Sequence, residues 1–168
     1  TADSRQLYFL AEEAGHENLF EVPAMGGEVR RVLELKSGVL TSLAVGGSGN
    51  APVLVANWES AISPAEVVRL DLGRDPGSPQ YRPLTRFNAE RVARIDWQPL
   101  RHFTFTSRRG RKIHSMIALP PDFDEKKKYP LLNLIHGGPH TMWRDQFFTR
   151  WNYHLLAQPG YVVLLTNY

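Results

Sequence analysis

Through the first half of the chain, hydrophobic residues come in short bursts and not in helical stripes. Leu7–Leu10, Leu19–Val22, Val29–Leu33, Val39–Val45, Val53–Asn57, Val67–Leu72 and Tyr81–Thr85 are rich in Val, Leu and aromatic residues. Turn-forming stretches separate them: Ala14–Asn18, Met25–Gly27, Gly46–Asn50, Ser60–Pro64 and Gly73–Pro79. Branched and aromatic side chains suit a pleated, half-buried surface, and Gly, Pro, Asn and Ser supply the dihedrals of tight turns. The region is therefore predicted to be all-β. No 3.6-residue period is present before about residue 88.

A faint repeat runs through these strands. QLYFLAEE pairs with PVLVANWES, ENLFEVPA with AEVVRLDL, and EVRRVL with YRPLT. The offset grows from about 46 to about 51 residues, in the range of a four-stranded propeller blade. Any two antiparallel meanders share this much likeness, so the repeat alone leaves blades and a generic meander both open. About two blades cannot close a ring, so a propeller would need blades outside this chain.

Near residue 100 the pattern changes. Phe103–Ser107 and Lys112–Leu119 flank Arg108-Arg109-Gly110-Arg111, which predicts a hairpin. Pro120-Pro121 ends its second strand, and the charged stretch Asp122–Lys128 reads as a surface loop. Leu131–Ile135 is a continuous apolar run of the buried-strand kind. Phe147, Phe148, Trp151, Leu155 and Leu156 fall on one face of a helix, with Asp145 as its cap and Gln158-Pro159-Gly160 as its stop. Tyr161–Thr166 then supplies a second buried strand. Hairpin, strand, glycine loop, helix and strand make the opening of an α/β sheet with a parallel crossover.

Composition narrows the function classes. The chain has 168 residues, 42% hydrophobic and 22% charged, with 20 Lys+Arg against 17 Asp+Glu. That is a soluble globular balance. The basic runs Arg108–Lys112 and Lys126–Lys128 are short, and the second follows Asp122, Asp124 and Glu125, so no nucleic-acid partner is expected. There is no cysteine, which removes disulfides and thiolate zinc sites and leaves cytoplasm, periplasm and secretion all open. No apolar run reaches the roughly 20 residues of a membrane span, so no membrane partner is expected.

The chemistry concentrates in LLNLIHGGPHTMW, residues 131–143. A loop leaving the carboxyl end of a parallel strand opens onto the crevice where α/β proteins bind ligands. Gly137 and Gly138 allow main-chain angles closed to other residues and admit a substrate close to the backbone. Pro139 has no N–H, so any main-chain donor comes from the glycines. Donors of this kind stabilise a developing oxyanion, as in the glycine-rich loop after the third strand of α/β-hydrolases. A plain turn stays open as the alternative. His136 and His140 are four apart, but two glycines and a proline prevent the helix that would align them on a metal, so no metal site is expected.

Together, KKYPLLNLIHGGPH, an aromatic-rich helix and GYVVLLTNY resemble serine peptidases of the prolyl oligopeptidase family, most of all the acylaminoacyl-peptidase and dipeptidyl-peptidase-like branch. LTRFN (Leu84–Asn88) and SMIALPPDFD (Ser115–Asp124) fit the same pattern. The strong likeness covers about residues 84–168. The resemblance implies a partial β-propeller over residues 1–98 and the N-terminal part of an α/β-hydrolase domain over 99–168. It also implies that the backbone N–H of Gly138, more than that of Gly137, serves the oxyanion hole. His136 stands where the prolyl-oligopeptidase branch proper has a tyrosine. Gln158-Pro159-Gly160 departs from relatives, which usually lack proline there.

A serine hydrolase also needs a G-x-S-x-G elbow, then an acid and a histidine. The nearest imitation, Gly46-Gly47-Ser48-Gly49-Asn50, ends in Asn, lies in the β region and is expected to be a loop. The Ser/Asp/His triad is therefore expected outside this chain, and His16, His102, His114 and His154 are expected to be structural. The expectation is an internal piece of a short-peptide hydrolase, inactive alone, cofactor-free, completed by the rest of the same enzyme and able to form homo-oligomers. An esterase or lipase of the same fold, and a non-catalytic propeller interaction module, are the alternatives.

Overall fold

Period-two alternation becomes an antiparallel meander. The computed structural model describes residues 1–48, 51–72, 81–138 and 140–167. In it, β1 (Gln6–Glu13) turns through Ala14-Gly15 into β2 (His16–Pro23). Both turn residues take positive φ, 47° and 83°, as a two-residue hairpin turn of this twist demands. β3 (Arg30–Leu33) pairs with β2, and Arg30 forms an ion pair with the buried Glu21. β4 (Val39–Ser48), β5 (Ala51–Ser60), β6 (Ser63–Leu70) and β7 (Tyr81–Pro83) follow as antiparallel neighbours. One parallel bridge, Glu17 to Val39, joins β2 to β4. The resulting seven-stranded sheet does not close on itself.

All seven expected strands of this half are present. One boundary is corrected: Gly46, Gly47 and Ser48, expected in a loop, extend β4 and lie opposite Val53, Pro52 and Ala51. Hairpin pairing with β5 outweighs the low strand preference of glycine at this edge. Gly49, Asn50 and the expected turn over Gly73–Pro79 lie outside the described residues.

After a single helical turn, α1 (Ala89–Val92), the second sheet begins with the hairpin β8 (Arg101–Thr106) and β9 (Lys112–Ala118). Ser107 N–H donates to Arg111 O at 2.8 Å, and Gly110 takes φ 76° at the tip. β10 (Leu131–Leu134) and β11 (Val162–Asn167) pair in parallel, Leu131 opposite Val162, and β11 sits between β10 and β9. The parallel pair is what a strand–crossover–strand connection requires.

The crossover differs from expectation. Its helix, α2, spans only Tyr153–Ala157 and is capped by Asn152, whose side-chain oxygen accepts from the N–H groups of His154 and Leu155, each at 3.1 Å. Asp145 is not the cap. Its carboxylate accepts from Gly38 N–H at 2.6 Å and Ala61 N–H at 2.8 Å, and its own N–H donates to Gly15 O at 2.8 Å. These bonds draw residues 141–152 into an irregular path against the first sheet. The helical face seen in the sequence is thereby divided. Phe148 packs against Trp143 and Tyr153 inside, while Leu155 is 71% exposed.

Two apolar cores result. Leu19, Leu33, Leu40, Leu54, Val68 and Leu70 lead the first; Met116, Tyr153, Val163 and Leu165 lead the second. Ala61, from the turn between β5 and β6, is buried in the second core. Around it, Arg144 pairs with Glu12 at 3.3 Å and Glu17 at 2.7 Å, and Gln146 donates to Glu59 at 2.8 Å. The two sheets therefore meet across a buried, hydrogen-bonded junction. No helix among the described residues is long and apolar enough to cross a membrane.

Candidate active site

β10 ends at Leu134, and the glycine loop leaves its carboxyl end. Trp143 closes the loop: its indole N–H donates to Leu134 O at 2.8 Å, while its backbone N–H donates to Asn167 Oδ1 at 2.7 Å. The Asn167 amide returns a bond to Trp143 O at 2.9 Å. The last residue of β11 thus clamps the far side of the loop on both backbone groups.

Inside the loop, the carbonyl of Gly137 receives two donors. Thr141 Oγ1 lies 2.5 Å from it and His136 Nδ1 lies 2.9 Å away, which places the proton of this imidazole on Nδ1. A trans peptide unit is planar, with its C=O and N–H pointing to opposite sides. Fixing Gly137 O toward His136 and Thr141 therefore turns the N–H of Gly138 the other way. Among the described residues no hydrogen-bond acceptor takes the N–H of either glycine. Gly138 has φ 129°, and a Cβ there would meet His140 N at 2.6 Å and Thr141 N at 2.9 Å. Only glycine fits. Gly137 faces open space.

His136 is buried and His140 exposed. A cleft of about 570 Å³ runs beside the loop, lined by Ile135, His136, Gly137 and Thr141 from the second half and by Glu12 from β1. Both sheets contribute to its walls.

Behind the clamp, three histidines stack at the junction. His16 and His102 lie nearly parallel with ring centroids 5.1 Å apart, and His102 Nδ1 lies 3.1 Å from His114 Nε2. Asn167, with its oxygen committed to Trp143, presents its amide nitrogen to His114 Nδ1 at 3.3 Å. His114 therefore carries its proton on Nε2 and donates to His102. Burial, then the neighbouring His102 and His16, depress His114 to about 4; burial and His16 also lower His102, against the pull of Asp145. The fourth of these histidines, His154 on α2, donates from Nε2 to Gln98 O at 2.8 Å.

Folded His102 and His114 resist protons that the unfolded chain accepts below about 6.5. Stability is thus full above that pH and falls as pH drops toward about 4. Glu17 works in the opposite sense, since burial raises its carboxyl despite Arg144, and it softens the lower end of the fall. Allowing for partial solvent screening, the loss is on the order of 1–2 kcal/mol. Melting midpoints from pH 8 to pH 5 should decline for the native protein and decline less for His114→Gln. Parallel curves would refute the assignment.

No family model matches the chain. Dipeptidyl-peptidase 5 of Arthroderma otae is 32% identical over 174 residues, covering 99% of this chain and 22% of that protein. Dipeptidyl-peptidase 5 of Trichophyton equinum is 33% identical with the same coverage. Among solved structures, an acylaminoacyl peptidase of Pyrococcus horikoshii matches 96% of this chain and 23% of its own, with TM-score 0.73 and 25% identity. The likeness to these peptidases runs over nearly the whole of this chain. The AtxE2 isopeptidase, with TM-score 0.65 and 24% identity, shares the fold.

The chain spans about a fifth, 22%, of the curated relatives it matches. The sequence pointed to the two glycines but not to the groups that hydrogen-bond around them. Thr141 carries no motif signal of its own. Asn167 had a faint one, as the residue closing the apolar strand in the family pattern. Asp145, expected as the helix cap, instead holds Gly38 and Ala61.

Proposed function

We propose that this chain forms the oxyanion side of a serine peptidase that hydrolyses short peptides by acyl transfer. In this reading residues 1–98 are about two closing blades of a β-propeller that limits access. Residues 99–168 open an α/β-hydrolase domain, and the nucleophile, acid and base come from the rest of the enzyme. The peptidase names of the relatives and the shape of the Pyrococcus horikoshii neighbour support the assignment.

The single observation that carries it is the Gly137–Gly138 peptide, with its carbonyl tied back and its N–H left to face outward. When a serine attacks a scissile carbonyl, negative charge collects on the carbonyl oxygen. Gly138 N–H is then a donor already in place, and preorganised donors of this kind contribute about 3 kcal/mol each. The charge passes back to form the acyl-enzyme as the amine leaves, and water repeats the cycle. The cleft beside the loop would hold the peptide next to the donor.

In the full-length enzyme, dipeptidyl and acylaminoacyl p-nitroanilides should be cleaved and a fluorophosphonate should abolish the cleavage. The isolated 168-residue chain should cleave neither. Hydrolysis of esters alone would move the reading to an esterase, and no hydrolysis at all would leave an interaction module.

A further inference from the structure

We infer that Thr141 is a positioning residue for the oxyanion donor, acting through the peptide plane that it holds. The inference rests on the peptidase reading above and adds to it a side chain that no motif marks. The geometry has three parts. Thr141 Oγ1 donates to Gly137 O at 2.5 Å, sharing that carbonyl with His136 Nδ1 at 2.9 Å. The two donors are themselves 3.5 Å apart, so they converge on one oxygen from neighbouring directions. Finally, the threonine reaches its place over a glycine: a Cβ on residue 138 would stand 3.1 Å from Thr141 Oγ1.

A Gly-Gly peptide is the least restricted unit a chain can have, since neither residue has a Cβ to bias its dihedrals. Left to itself, the plane between Gly137 and Gly138 can flip, exchanging the directions of C=O and N–H. A flipped plane would present a carbonyl oxygen to the developing oxyanion, which repels it. Two hydrogen bonds to Gly137 O oppose that flip. His136 is buried and is held by the fold. Thr141 lies at the loop exit, two residues before the Trp143 clamp, so its hydroxyl ties the exit of the loop back to its entry. The threonine thus selects which face of the peptide the substrate meets.

The test uses the full-length enzyme with Thr141→Val, which keeps the shape and removes the hydroxyl, and Thr141→Ser, which restores it. Valine should lower kcat about ten-fold or more with KM changed less than about three-fold, as expected for an interaction felt in the transition state. Serine should recover most of the rate. A peptide aldehyde, which forms a tetrahedral adduct, should bind the valine variant correspondingly more weakly, while a product peptide should bind both equally. A merely structural threonine would lower the melting point and leave the aldehyde-to-product ratio untouched. That result, or an unchanged kcat in Thr141→Val, overturns the inference. An inactive native enzyme would instead overturn the peptidase reading. In that case amide hydrogen exchange at residues 137–141, expected to quicken in Thr141→Val and not in Thr141→Ser, still decides whether the hydroxyl holds the loop.

Discussion

Gly138→Ala in the full-length enzyme is expected to lower kcat by about 10²- to 10³-fold with KM nearly unchanged, and to lower the melting point as well. The added methyl group would stand 2.6 Å from His140 N and 2.9 Å from Thr141 N, and a φ of 129° is strained for any residue with a Cβ. The clashing atoms belong to the backbone, so the loop relieves that strain only by shifting its main chain, at a cost in stability. The shift displaces the N–H assigned to the oxyanion in the proposed reaction, and it pushes Thr141 from the carbonyl it holds. Gly137→Ala makes an informative contrast. Its methyl would enter open space beside the cleft, so KM should rise and kcat should fall less than ten-fold. Measuring both variants on one substrate assigns the donor. A larger kcat loss at Gly137 than at Gly138 would reverse the assignment.

Asp145→Ala should destabilise the protein by about 3 kcal/mol, the largest loss expected from a single polar substitution here. The carboxylate is 6% exposed and holds two backbone N–H groups from separate turns of the first sheet. Removing it leaves both donors buried without an acceptor, and each such donor costs about 1–3 kcal/mol. Asp145→Asn should fall between, because the amide keeps one oxygen but offers hydrogens where an acceptor is required. Denaturant midpoints of the two variants provide the check. A loss under about 1 kcal/mol for alanine would show that water replaces the carboxylate.

The strands were legible because alternation and turn residues act locally. β1 and β2 could be read from Leu7–Leu10 and Leu19–Val22, and the parallel pair from two apolar runs separated by a crossover. The loop was legible for the same reason: His136-Gly137-Gly138 advertises its dihedral freedom in the residues themselves. The crossover was not. Asp145 finds its partners 107 and 84 positions away, and no local preference encodes them. Once Asp145 is committed there, the cap passes to Asn152 and the helix shortens to five residues. Thr141 was hidden differently, since a threonine near a turn is common and only the distance to Gly137 O reveals its use.

The turn that carries Ala61 into the second core has a consequence for recombination between relatives. The seam near residue 98 is where the sequence changes character, and it invites the joining of one enzyme's N-terminal part to another's C-terminal part. The packed surfaces do not respect that seam. A parent supplying residues 99–168 brings Asp145, His114 and Met116, and these fit only turns shaped like those at Gly15, Gly38 and Ala61. Hybrids that also transfer those three turns should fold far more often than hybrids cut cleanly at the seam.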